Sequence, residues 1–196
     1  MNLPNRLTMA RIFAIPFFIV CFYLPDWVMV NILGADILLK YFIAAVIFIL
    51  AYITDTLDGR IARKYNLVTD FGKLMDPIAD KLLTAACMIM LIGRGLLSVC
   101  EFLLPVFTMI VIAREFVVSG IRLVAASRGN VIAAGVLGKI KTTVQSIALP
   151  VVLLAGPVCK KINLPIDFIL LSVSVFFTIW SGVDYTLKNK DVFSDR

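Results

Sequence analysis

Six long apolar runs leave this chain few folds. Two of them, IFAIPFFIVCFYL at 12–24 and LLPVFTMIVIA at 103–113, carry no charge at all. A spanning helix needs about 20 mainly apolar residues. Of 196 residues, 61% are hydrophobic and 16% charged, and mean hydropathy is +0.98. A soluble domain holds about 45–50% apolar and about 25% charged residues. The expected fold is all-α: one polytopic membrane domain over 1–196, six transmembrane helices around a cytoplasm-facing polar cavity. The spans fall at about 7–24, 37–64, 73–93, 102–126, 140–157 and 166–186, each near the length a bilayer requires. The first run has no small-residue cleavage site, and Asn5, Arg6, Thr8 and Arg11 are spread through its start, so it reads as a span rather than a removable signal.

Six spans put both termini on one side. Of the 19 Lys and Arg residues, all but Lys40, Arg94, Lys160 and Lys161 fall on that side, which the positive-inside rule makes cytoplasmic. The net charge of +6 points to anionic membrane lipids rather than to nucleic acid. Cys21, Cys87, Cys100 and Cys159 are scattered among apolar neighbours without a CxxC, and read as small buried residues. The chain has no His, which argues against a structural zinc site and removes Ser-His and Cys-His nucleophiles. A general base must then be a carboxylate or a lysine.

Between the runs, residues 25–36 read as a short connection with Trp27 at the membrane interface, and Lys40 as a lysine able to snorkel. Residues 127–141 read as a mobile, basic cytoplasmic segment, and Pro150 as a kink in the fifth span.

The polar exception to this pattern is DTLDGRIARKYNLVTDFGKLMDPIAD, Asp55 to Asp80, with five of the thirteen acidic residues. Beyond Asp80 only Leu82 to Ile92 is purely apolar, a rise of about 16 Å against a core of about 30 Å. Asp80, with Asp76 a turn before it, therefore belongs below the membrane surface, where a carboxylate is functional by default. On a helical wheel Asp55, Asp58, Gly59, Ala62 and Arg63 share an arc of about 140°, and Gly72, Asp76 and Asp80 one of about 80°. Gly59 and Ala62 leave room beside the carboxylates. Surface pairs such as Asp58 with Arg63, or Asp76 with Lys73, would need no ligand. Four carboxylates on matched faces do, because they cannot all stay ionised in a low dielectric without a counter-charge. Mg²⁺ or Mn²⁺ meets that need, as a pair of ions suited to phosphoryl transfer, and Arg63 suits a phosphate.

Asp55-Thr-Leu-Asp58-Gly59-Arg-Ile-Ala62-Arg63, then eight residues, then Gly72-Lys-Leu-Met-Asp76-Pro-Ile-Ala-Asp80, resembles the signature of the CDP-alcohol phosphotransferase family at every defining position. The resemblance covers most of the chain. It implies transfer of a phosphatidyl-type group from a CDP-linked donor to an alcohol, with release of CMP. It also implies that Asp55, Asp58, Asp76 and Asp80 hold the metals and that Asp80 is the general base. Gly59, Ala62, Arg63 and Gly72 line the cytidine diphosphate pocket, and Thr69 matches a donor contact. A homodimer in the bacterial inner membrane, with its site on the cytoplasmic side, is implied as well.

The acceptor depends on other residues. Arg114 and Arg122 are eight apart on one helix, and Lys139 and Lys141 enter the next span. Arg114 follows twelve uncharged residues and lies as far from Glu101 as Asp80 does from Gly93, so antiparallel spans bring the two to similar depth. Up to four cations beside a metal site suggest an acceptor that carries its own phosphate. NLPNRLTMAR at the start, AREFVVSGIR from Ala113 and GKIKT from Gly138 resemble the branch of the family that uses CDP-diacylglycerol and sn-glycerol 3-phosphate. Pro4, Asn5, Thr8 and Arg11 match its amino-terminal motif, placing Pro4, Asn5 and Thr8 with the donor; Asp184 and Tyr185 also fit it. Two alternatives stay open: the same fold and donor with serine, an inositol phosphate or another phosphatidyl lipid as acceptor, and a carboxylate-lined ion-coupled transporter.

Overall fold

The computed structural model describes residues 3–64, 70–127 and 135–190, with side chains over 8–55, at 75, 78 and 79, and over 81–127 and 135–190. Six helices account for most of them: α1 (Leu3–Cys21), α2 (Leu39–Lys64), α3 (Asp70–Leu91), α4 (Leu104–Ser127), α5 (Val136–Ile162) and α6 (Ile166–Lys188). A 3-10 turn, Glu101–Leu103, leads into α4. Each apolar run becomes one helix because a backbone in lipid must satisfy its own hydrogen bonds.

Three stretches are long and apolar enough to cross a membrane: Glu101–Ser127, Val136–Ile162 and Ile166–Lys188. Within the residues whose side chains are described, α1 and α3 contribute the apolar stretches Thr8–Cys21 and Lys81–Leu91. The protein is thus a helical membrane protein with three candidate spans among its described residues. Its outer faces carry large apolar side chains, with Phe102, Phe116 and Leu123 more than 70% exposed, as a lipid-facing surface requires.

The interior is built from α1, α2, α3 and α5, with α6 packed along α5 and α4 set against α6 and α3. Phe18, Phe22, Phe48 and Tyr41 interlock α1 with α2, ring centroids lying 5.3 to 6.4 Å apart. Met88, Leu91, Leu149, Leu153 and Leu171 fill the remaining core and are fully buried. Small residues let backbones approach. A Cβ on Gly156 of α5 would stand 2.0 Å from the carbonyl oxygen of Leu96, in the loop between α3 and α4. That loop is also held by the fully buried Asp167 of α6, which accepts hydrogen bonds from Ser98 N at 2.7 Å and Ser98 Oγ at 2.5 Å.

Several local expectations are corrected. Residues 25–36 are not a plain connection but lead into an antiparallel hairpin, β1 (Val28–Ile32) with β2 (Ala35–Leu38), paired Asn31 to Asp36 and Ile32 to Ala35. Leu33 and Gly34 turn it with φ of 51° and 78°, the pair of positive values that a two-residue type I′ turn needs. The leucine hides this signal, because Asn or Gly is usual there. Asn31 supports the turn, accepting from Gly34 N at 3.1 Å and donating to Asp36 at 2.6 Å. The second helix therefore starts at Leu39 rather than near residue 37. Lys40 does not reach out to water; it is buried, paired with Asp26 and set against the Tyr41 ring. Of segment 127–141, Ser127 closes α4 and residues from Val136 onward belong to α5, while 128–134 lie outside the described residues. Helix α5 runs as one element through both Pro150 and Pro157. Cys21, Cys87 and Cys159 are buried as expected, whereas Cys100 is exposed at the start of the 3-10 turn.

Candidate active site

The acidic stretch forms the end of α2 and the start of α3. Asp55, Asp58, Gly59, Ala62 and Arg63 lie on α2, and Gly72, Asp76 and Asp80 on α3. The side chains of Asp58, Ala62, Arg63, Asp76 and Asp80 lie outside the described residues, as do those of Pro4 and Asn5 on α1, and all of Thr69. Asp55 is described. Its Oδ1 accepts from Arg11 Nη1 at 2.5 Å, the arginine side chain being 2% exposed and the carboxylate 35%. Thr8, one turn before Arg11, is buried as well. Ala10, Arg11 and Ala14 of α1, with Leu50, Ala51 and Thr54 of α2, line a cleft of about 280 Å³ beside this pair. The alanines open the cleft, and the pair gives it a polar end.

The basic residues divide into three situations. Arg114 and Lys141 come together on one acceptor, Glu115 Oε1, at 2.9 and 2.7 Å. All three side chains are largely enclosed, at 13%, 6% and 18% exposure. Lys81 of α3, the residue after Asp80, also acts electrostatically on Glu115. The helices that carry Arg114 and Lys141, α4 and α5, both pack against α3, the helix of Asp76 and Asp80. Arg122 sits two turns farther along α4, where its Nε donates to Tyr185 Oη at 3.2 Å and its guanidinium covers the Tyr185 ring. Lys139 is exposed on α5. Asp184, the other residue noted near Tyr185, pairs with Lys188 at 2.9 Å.

Arg114 occupies a slot made by small residues. Its Nη2 donates to Ser181 Oγ at 3.2 Å. A Cβ on Gly182 would stand 3.0 Å from its Cγ, and one on Gly138 3.5 Å from its Nη2. The slot opens on a groove of about 350 Å³ between α4 and α6, lined by Arg114, Val117, Thr178, Gly182 and Val183 among others.

Glu115 and Ser181 were not singled out among the candidate residues. Glu115 had a signal: a carboxylate next to an arginine, after a long uncharged run. Ser181 had none, since a serine on an apolar helix is common.

The family model for CDP-alcohol phosphatidyltransferases matches residues 1–180. The chain belongs to the CDP-alcohol phosphatidyltransferase family. It is therefore a transferase, which sets aside the transporter reading, and the family is generally dependent on a divalent metal. A Bacillus subtilis (strain 168) protein named CDP-diacylglycerol–glycerol-3-phosphate 3-phosphatidyltransferase is 44% identical over 189 residues, covering 96% of this chain and 95% of its own. A Rickettsia bellii (strain RML369-C) protein of the same name is 41% identical over 193 residues, covering 98% and 97%. An Arabidopsis thaliana protein that carries that name with the numeral 2 is 37% identical over 195 residues, covering 95% of this chain and 79% of its own.

Proposed function

We propose that this protein transfers the phosphatidyl group of CDP-diacylglycerol to sn-glycerol 3-phosphate, forming phosphatidylglycerol phosphate and releasing CMP. The observation that carries the acceptor is the pair of enclosed cations, Arg114 on α4 and Lys141 on α5, two helices that pack against the α3 helix of Asp80. A phosphorylated acceptor brings a dianionic group to this cation pair, whereas serine brings only a single carboxylate. The shared name of the relatives at 41–44% identity supports the same acceptor. Arg122 and Lys139 complete the basic set on the acceptor side, farther from the Arg114 slot.

The remaining assignments follow the motif. Asp55, Asp58, Asp76 and Asp80 hold a pair of Mg²⁺ or Mn²⁺ ions. The donor set fits such hard cations, since it consists of carboxylate oxygens, and the buried Arg11 orients Asp55 within it. When bound, the metal neutralises charge on the pyrophosphate and on the departing CMP. Gly59, Ala62, Arg63, Thr69 and Gly72, with Pro4, Asn5 and Thr8 from α1, receive the CDP part of the donor. The acceptor hydroxyl oxygen forms a bond to the lipid-side phosphorus, the bond from that phosphorus to the CMP oxygen breaks, and Asp80 takes the hydroxyl proton. We place the protein in the bacterial inner membrane as a homodimer of six-span subunits, each with a polar cavity open to the cytoplasm.

A CMP-release assay in mixed micelles with Mg²⁺ or Mn²⁺, run over an acceptor panel, tests this. Glycerol 3-phosphate is expected to support release. Release with serine or an inositol phosphate, and none with glycerol 3-phosphate, would overturn the acceptor while leaving the reaction class in place.

A further inference from the structure

Glu115 has no part in the chemistry above, yet it sits at the centre of the basic cluster. Lys141 and Arg114 donate to the same oxygen of this one carboxylate. Surfaces bring such groups together for little energy. Here the lysine and the arginine are enclosed, so their orientation depends on what they bond. Arg114 is confined on its other sides by Gly138, Ser181 and Gly182. Its Nε is buried with no hydrogen-bond partner among the described residues. A guanidinium donor left open in a buried slot is available to an anion.

We propose that Glu115 is a positioning residue of the acceptor site: by holding the Arg114 guanidinium and the Lys141 ammonium on one oxygen, it presets both for the phosphate of the acceptor. The proposal rests on Arg114 and Lys141 being the acceptor-phosphate ligands. A carboxylate that stood in the place of the phosphate would have the opposite effect, since it would compete with the acceptor and its removal would tighten binding. Positioning makes acceptor binding depend on Glu115 and leaves the donor indifferent to it.

Initial rates of CMP release by the purified full-length protein, with glycerol 3-phosphate and CDP-diacylglycerol varied in turn, separate these roles. Glu115→Ala is expected to raise KM for glycerol 3-phosphate about ten- to a hundredfold, the range for a hydrogen bond to a charged group, with KM for CDP-diacylglycerol within about twofold of the parent. Glu115→Gln keeps an oxygen acceptor in place and is expected to recover most of the loss. An unchanged or lowered acceptor KM in Glu115→Ala overturns the proposal, as does an equal rise in both KM values. Arg114→Ala runs in parallel. If it too leaves the acceptor KM unmoved, the underlying reading of the cations falls; if it raises that KM while Glu115→Ala does not, only the role of Glu115 falls. Should Glu115→Ala fail to fold, Glu115→Asp replaces it. That variant withdraws the carboxylate by one methylene and is expected to raise the acceptor KM in the same way.

Discussion

Arg11 of α1 and Asp55 of α2 meet at 2.5 Å, and this pair joins the amino-terminal helix to the first aspartate of the acidic stretch. The contact is one-sided in its burial. The arginine is enclosed at 2% exposure, and the carboxylate is open at 35%.

Arg11→Ala leaves Asp55 without this cation and removes a buried stem from the α1–α2 seam. Breaking a fully buried pair costs about 3–5 kcal/mol; the exposure of Asp55 reduces this to about 1–3 kcal/mol. A lowered thermal midpoint in detergent is expected, together with a higher Mg²⁺ concentration for half-maximal CMP release. Arg11→Lys is expected to restore this only in part, because a lysine is a point charge without the planar fork. A variant with the parent's midpoint and the parent's Mg²⁺ dependence would show that the pair does not support the site.

Asp80→Asn tests the proposed base. Its side chain keeps its size and loses the ability to take a proton. Turnover is expected to fall about 10²- to 10⁴-fold, the usual share of a general base, while CDP-diacylglycerol binding by equilibrium titration persists. Turnover close to that of the parent would remove Asp80 from that role.

Gly156→Ala tests the packing of the loop between α3 and α4. Its Cβ would lie 2.0 Å from the Leu96 carbonyl oxygen, a backbone atom that cannot rotate away. The loop must shift, and overpacking of this kind costs about 1–3 kcal/mol. Gly93→Ala is the companion. Nothing stands within 4 Å of its added Cβ, and only its φ of 71° opposes the change, so about 1 kcal/mol is expected. Thermal midpoints of the two variants should rank in that order.

Asp167→Ala removes the acceptor for both Ser98 N and Ser98 Oγ. The part-buried amide loses its partner, at the lower end of about 1–3 kcal/mol. Ser98→Ala loses only the hydroxyl bond and should cost less. In a double-mutant cycle the two changes are expected to be less than additive, since they share one contact. Full additivity of the two midpoint shifts would rule out that coupling.

The helices were legible because their signal is local. Apolar runs of bilayer length specify a helix without reference to anything distant. The hairpin was not legible. Its turn depends on Leu33 adopting a positive φ, which no short-range pattern announces. The end of segment 127–141 was not legible for a related reason: glycines and lysines look like a loop, yet Gly138 is helical in α5 and gives Arg114 its space. Arg114 itself was legible as a costly charge at membrane depth. Its counter-charge, Glu115, stands one residue away, and adjacency along a helix does not by itself announce a pair.

The order of the helices and the spacing of the four aspartates follow from the chain alone, because a repeat of about 3.6 residues and the low polarity of lipid act on neighbouring residues. Which cation meets which carboxylate was decided by tertiary structure. Arg11 and Asp55 are 44 residues apart, Lys141 and Glu115 are 26 apart, and Ser98 and Asp167 are 69 apart. Such pairs exist only where helix packing holds them, and packing depends on small residues such as Gly138, Gly156 and Gly182, whose contribution is the space they leave.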